Sequence, residues 1–159
     1  MDLPVVTRLK KELEDLKYEL SHKLPKELEE ARAHGDLSEN AEWEAAKERQ
    51  QFVNARIAQI GGRIRELSLY TLASIPEGVA AYGSRVTVED TDEGERAVYR
   101  LVFPEEVDAS AGDISMSSPL GRALMNRRVG DAIEVVTPKG KRHYEILELV
   151  TLHETTAKE

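Results

Sequence analysis

Two regular apolar ladders, one on each side of a short acidic turn, constrain this chain more than any other feature. Leu9 with Ile64, Leu13 with Ile60, Leu16 with Ile57, Leu20 with Val53 and Leu28 with Ala45 are pairs whose residue numbers each add to 73. A constant sum is the arithmetic of two antiparallel segments facing each other, and spacings of three and four residues belong to helices with one narrow apolar stripe. The pattern predicts an antiparallel α-helical coiled-coil hairpin whose bend falls between Asp36 and Leu37. At about 1.5 Å per residue, an arm of roughly 28 residues projects about 40 Å. That reach exceeds what a one-sided core requires.

The first helix is expected to begin near Thr7, acting as its cap, and to run through Leu9, Leu13, Leu16, Leu20, Leu24 and Leu28. Pro25 interrupts this stripe. An interior proline removes a backbone hydrogen bond, so a bend or restart is expected between Ser21 and Pro25. The second helix carries Ala46, Val53, Ile57, Ile60, Ile64 and Leu67. Gly61-Gly62 weakens it near its base, by roughly 1 kcal/mol per glycine relative to alanine, which packing against the Leu13 region must offset. From Ser68 to Gly83 the helical pattern dissolves, and Pro76-Glu77-Gly78 marks an interdomain connection. The expected domains are the hairpin, 1–76, and a second unit, 77–159.

In that second unit the period changes to two. Ser84–Glu89 and Ala97–Val102 flank the turn-forming Asp90-Thr91-Asp92-Glu93-Gly94, and Ala132–Val136 and Arg142–Leu149 are joined across Pro138-Lys139-Gly140. Between the two pairs, Ser118-Pro119-Leu120-Gly121-Arg122-Ala123-Leu124 predicts a short helix with a serine cap and a proline in its first turn. The fold class is therefore α+β: a helical hairpin followed by a small antiparallel β-sheet domain with one helix packed on it.

Composition narrows the function. With 33% charged and 40% hydrophobic residues, the chain reads as a soluble protein, part of which is a slender rod with little interior. No apolar run is long enough to cross a bilayer and the N-terminus lacks the apolar core of a signal peptide, so the cytoplasm is the expected location. The absence of cysteine removes disulfides, thiolate catalysis and cysteine-based zinc sites. A net charge of -8 argues against binding nucleic acid chiefly by neutralising phosphates, because that mode needs a basic surface. The four histidines show no metal-ligand spacing, and neither a nucleophile paired with a base nor a glycine-rich phosphate loop is visible.

The residues best suited to chemistry lie in the acidic turn Gly35-Asp36-Leu37-Ser38-Glu39-Asn40-Ala41-Glu42-Trp43-Glu44. Asp-x-x-Glu at a helix start is a capping box, in which Asp36 accepts from the Glu39 backbone and Glu39 reaches back. The same two carboxylates on an exposed turn also suit a hard cation such as Mg²⁺, which takes one or two carboxylates together with waters and phosphate oxygens. Two carboxylates do not complete a site, so a partner would supply the rest. Trp43 either packs Leu37 into the tip or offers a contact surface. Asn40 can fix the turn through side-chain to backbone bonds.

The run Ala31–Glu48, with Gly35-Asp36-Leu37-Ser38-Glu39-Asn40-Ala41-Glu42 at its centre, closely resembles the signature of the bacterial Gre-type transcript cleavage factors. Gly83–Val88, Ile114–Leu124, Val129-Gly130-Asp131 and Tyr144–Leu147 resemble that family's C-terminal domain, and within the family the GreA branch is the nearer match. The resemblance implies a monomer whose coiled coil enters the secondary channel of RNA polymerase. It also implies an FK506-binding-protein-like domain that docks at the channel rim; the segment Ser118, Pro119 and Leu120, expected to be exposed, is the candidate contact. Carried over to this sequence, the catalytic tip residues are Asp36 and Glu39, which would help bind a Mg²⁺ shared with the polymerase near the nascent RNA 3′ end; Leu37, Asn40 and Trp43 support them. The chain would then stimulate the polymerase's own RNA cleavage rather than act as an independent enzyme. Departures from the family pattern are Trp43 in place of tyrosine, Val5-Val6-Thr7-Arg8 in place of a Leu-Thr-x-x-Gly element, and Pro25. Two competing readings are a channel-binding regulator that does not stimulate cleavage, and a peptidyl-prolyl isomerase. The second would need an aromatic-lined pocket, and beyond Pro76 only Tyr82, Tyr99, Phe103 and Tyr144 are aromatic.

Overall fold

The computed structural model describes residues 2–34 and 37–158, with the side chains of His34 and of residues 37–40 outside that description. The chain divides into two compact units, Asp2–Tyr70 and Thr71–Glu159. The first is a helical hairpin. Its first arm comprises α1 (Pro4–Tyr18), a π turn (Glu19–Lys23) and α2 (Leu24–His34); its second arm is the continuous helix α3 (Leu37–Leu67). The helix begins at Pro4 with Leu3 as its N-cap, and Thr7 sits inside it. Proline at the first helical position needs no N–H there and brings a preset φ, which is why the start lies earlier than the threonine predicts.

Across the hairpin, Arg56 pairs with Glu12 at 2.9 Å and Arg49 with Glu19 at 3.0 Å. Both pairs of numbers add to 68, so the antiparallel register is written in the flanking charges as well as in the seam. Among the described residues of α3 the buried ones are Ala46, Val53, Ile60 and Leu67, seven apart. Gly61 and Gly62 lie within this helix without ending it. The first arm buries Leu9 and half-buries Leu13, Leu16 and Leu20; beyond the π turn it buries Leu24 and Ala31 and half-buries Leu28. Ala45 is exposed and Ala46 buried, so the proposed pairing of Leu28 with Ala45 is out by one residue. The π turn explains it, since a five-residue turn lodges one residue more than an α turn.

The second unit is a five-stranded sheet in the order β3-β2-β1-β5-β4. The strands are β1 (Arg85–Asp90), β2 (Arg96–Val102), β3 (Asp113–Ser115), β4 (Ala132–Thr137) and β5 (Gly140–Val150), with α4 (Pro119–Leu124) between β3 and β4 and α5 (Leu152–Thr156) after β5. The two hairpins expected from the period-two runs are present, and β1 pairs antiparallel with β5 to join them. Two features go beyond the expectation. The edge strand β3 runs parallel to β2, and a second short helix follows the sheet. Val86, Val88, Leu101, Ile133, Val135 and Ile146 on one face, with Ala80 and with Leu124 of α4, form the buried core. Among the described residues, no helix is long and apolar enough to cross a membrane.

Candidate functional site

The distal ends of α2 and α3 position the acidic turn. Asp36 lies outside the described residues, and although Leu37, Glu39 and Asn40 fall in the opening turns of α3, their side chains do too. The proposed capping box therefore concerns residues that are not described. Trp43 is half-buried, and the Lys47 ammonium one turn further on lies 5.2 Å from the centre of its ring. A cation over an indole face at an exposed site contributes about 0.5–1 kcal/mol, which restrains the indole beside the turn. Behind it, Glu27, Glu30, Ala31, Glu42, Ala45, Ala46 and Arg49 line a groove of about 370 Å³. Small alanines leave this gap between the arms. Three carboxylates border it against one guanidinium, and that guanidinium is already engaged by Glu19 through three hydrogen bonds. The groove lining is thus net anionic, which favours cations over phosphate.

In the sheet unit the candidate contacts Ser118, Pro119 and Leu120 open α4. The Ser118 hydroxyl accepts from the Gly121 N–H at 3.1 Å and donates to the Ser115 carbonyl at 2.6 Å. Leu120 is half-buried and packs against the core. Of the three side chains only that of Pro119 is exposed, so a partner reading this segment would meet the proline ring at the helix start. The neighbouring Gly121 is required by close approach: a Cβ there would sit 2.0 Å from the Ser115 carbonyl oxygen.

An ion pair that no sequence pattern announces anchors this region. Asp113, on the edge strand, has a side chain fully shielded from solvent and receives two bonds from Arg100, Nε to Oδ1 at 2.8 Å and Nη2 to Oδ2 at 2.9 Å. The Asp108 N–H adds a third at 3.2 Å. The Arg100 guanidinium holds the Asp113 carboxyl below its ordinary pKa, and the backbone N–H of Asp108 acts in the same direction. Asp90 is similarly depressed, first by the Glu93 N–H and then by that of Asp92 and by Arg142. These carboxylates build turns and edges; no spacing signal in the sequence links Arg100 to Asp113.

Family models place the whole arrangement. The N-terminal model of the transcription elongation factors matches residues 5–68, and the GreA/GreB C-terminal model matches 75–150. The chain belongs to the GreA/GreB family. Transcription elongation factor GreA of Syntrophobacter fumaroxidans is 46% identical over 142 residues, covering 89% of this chain and 91% of that protein. GreA of Magnetococcus marinus is 41% identical over 149 residues, covering 94% and 95%. The crystal structure of GreA factor homolog 1 from Thermus thermophilus aligns at 32% identity over 91% of this chain and 94% of that one, with a TM-score of 0.41. The family resemblance read from the acidic turn and the Ile114–Leu124 run is therefore correct. Among the described residues of this GreA/GreB chain, no group of three or more His, Asp or Glu side chains is placed to hold a metal ion. The donor chemistry of the acidic turn still fits Mg²⁺ in part, because Asp36 and Glu39 bring hard carboxylate oxygens and too few of them to close a coordination shell.

Proposed function

We propose that this chain stimulates the RNA cleavage activity of bacterial RNA polymerase by inserting its hairpin into the polymerase secondary channel. The observation that carries the reading is an Asp-x-x-Glu pair at the bend of an antiparallel hairpin, in a chain of the GreA/GreB family. The rod supplies reach: α3 alone has 31 residues, a length of about 46 Å at 1.5 Å per residue. Asp36 and Glu39 would donate carboxylate oxygens to a Mg²⁺ that the polymerase also ligates, and at this position they would orient a water for attack near the nascent RNA 3′ end. The metal, when bound, supplies charge stabilisation and an activated water in the two-metal scheme. Trp43, held by Lys47, supports the turn from the α3 side, and Leu37 and Asn40 complete it. The sheet unit docks at the channel rim, with Pro119 the exposed member of the Ser118-Pro119-Leu120 segment. The protein acts as a cytoplasmic monomer.

The deciding experiment is Asp36→Asn, assayed for melting and for RNA cleavage in stalled, backtracked complexes. Asparagine caps a helix about as well as aspartate but is a poorer Mg²⁺ ligand. Cleavage is expected to fall about a hundredfold with melting unchanged. Full activity in the variant would overturn the metal role, and binding without cleavage by the unmodified protein would instead favour the regulator reading.

A further inference from the structure

The π turn at Glu19–Lys23 repairs the phase of the apolar stripe. Starting from Leu9, Leu13, Leu16 and Leu20, an uninterrupted heptad would next bring Lys23, Glu27 and Glu30 to the seam. Those three residues are exposed, while Leu24 and Ala31 are buried and Leu28 is half-buried. One extra residue lodged in the turn accounts for the whole shift, because a single residue is about 100° of helix rotation. The opposite arm needs no such correction, since its buried residues stay seven apart.

Local groups hold the turn in place. The Leu24 N–H donates to the Glu19 carbonyl, the five-residue closure of a π turn. Pro25 has no N–H to offer the Ser21 carbonyl, so the α alternative lacks its bond there. The Ser21 hydroxyl donates to the Lys17 carbonyl at 2.9 Å, a His22 ring nitrogen lies 2.8 Å from that hydroxyl, and His22 stacks on Tyr18 with ring centres 4.4 Å apart.

We infer that the π turn is a phase-setting joint for the acidic turn, acting through the azimuth of α2, and that Ser21 and Pro25 serve only to hold the extra residue within it. The inference rests on the proposed cleavage role. It requires that a residue removed inside the joint leave α2 facing the seam as before, whereas a residue removed beyond it rotate everything up to Asp36. Deleting His22 together with Pro25→Ala creates an uninterrupted heptad with the same seam residues. Deleting Glu29 leaves the joint intact and turns the end of α2 by one residue.

Both full-length variants and the unmodified protein are compared in three measurements: thermal melting by helical circular dichroism, competition with labelled unmodified protein for RNA polymerase, and cleavage of backtracked complexes at saturating factor. The first variant is expected to melt at or above the unmodified protein and to cleave within about twofold of it. The second is expected to compete for polymerase yet to cleave about a hundredfold more slowly, the scale of an ångström-sized misplacement of reacting groups. Loss of cleavage by a well-folded first variant, or retained cleavage by the second, would overturn the inference. Should the unmodified protein bind polymerase without stimulating cleavage, the functional proposal fails separately; the joint is then judged by melting, and a first variant less stable than the unmodified protein sinks it.

Discussion

Along the second arm of the hairpin, Ala46, Val53, Ile60 and Leu67 are buried one per seven residues, whereas in the sheet unit Val86, Leu101, Leu124, Ile133 and Ile146 converge on one cluster from β1, β2, α4, β4 and β5. The hairpin spends its apolar residues along a line, so each rung touches mainly its neighbours. The sheet concentrates them, and each core side chain braces several elements at once. A rod built by rungs gains reach and an exposed end at the expense of interior; a closed cluster gains rigidity and a defined surface. The contrast teaches that local damage should stay local in the first unit and spread in the second.

The largest effect that would test this contrast is Gly121→Ala. A methyl 2.0 Å from the Ser115 carbonyl oxygen must push α4 off the edge of the sheet, costing about 3 kcal/mol; amide exchange should rise throughout the second unit while the rod's helices keep their protection. Next, Asp113→Asn removes the charge from a shielded side chain that accepts two bonds from the partly exposed Arg100, an expected loss of about 2 kcal/mol at neutral pH. Its pH dependence has a definite sign. Because the folded pKa lies below the ordinary 3.8, the Asp113 contribution is complete above that value and is lost as pH falls through the depressed one. The stability gap between parent and variant should therefore close in acid, and a gap that persists there would refute the ion-pair account. Val53→Ala, at a fully buried rung, is expected to cost about 1.5 kcal/mol and to raise exchange only within about two turns on either arm; rod-wide loss of protection would break the comparison. The smallest effect is Arg49→Gln, which removes a partly exposed bridge to Glu19 and should change melting by no more than about 0.5 kcal/mol.

How far the sequence disclosed these features depended on whether they were periodic. The ladder, the trouble at Pro25, the turn position and both β hairpins follow from repeating patterns, and all but the turn, which lies outside the described residues, can be seen in the fold. The register error at Ala45 arose because a constant sum assumes equal residues per turn in both arms, and the π turn breaks that assumption. The helix start was misplaced because Thr7 is a good cap in isolation, but Pro4 fits the first turn better. The strand Asp113–Ser115 has three residues, too few for a period, and is fixed by a tertiary ion pair with Arg100. Close approach at Gly121 depends on the Ser115 backbone, which no local pattern announces. For the acidic turn, the donor types were legible at once and their incompleteness was the useful clue, since it pointed to a partner.

Trp43, the single tryptophan of the chain, lies on the hairpin with Lys47 over its ring, while the sheet unit carries tyrosines and phenylalanine alone among aromatics. The molecule thus has an optical label confined to one unit. Indole emission during denaturation reports the rod, circular dichroism reports both units, and a difference between their midpoints would show whether the two unfold as one cooperative body or as two.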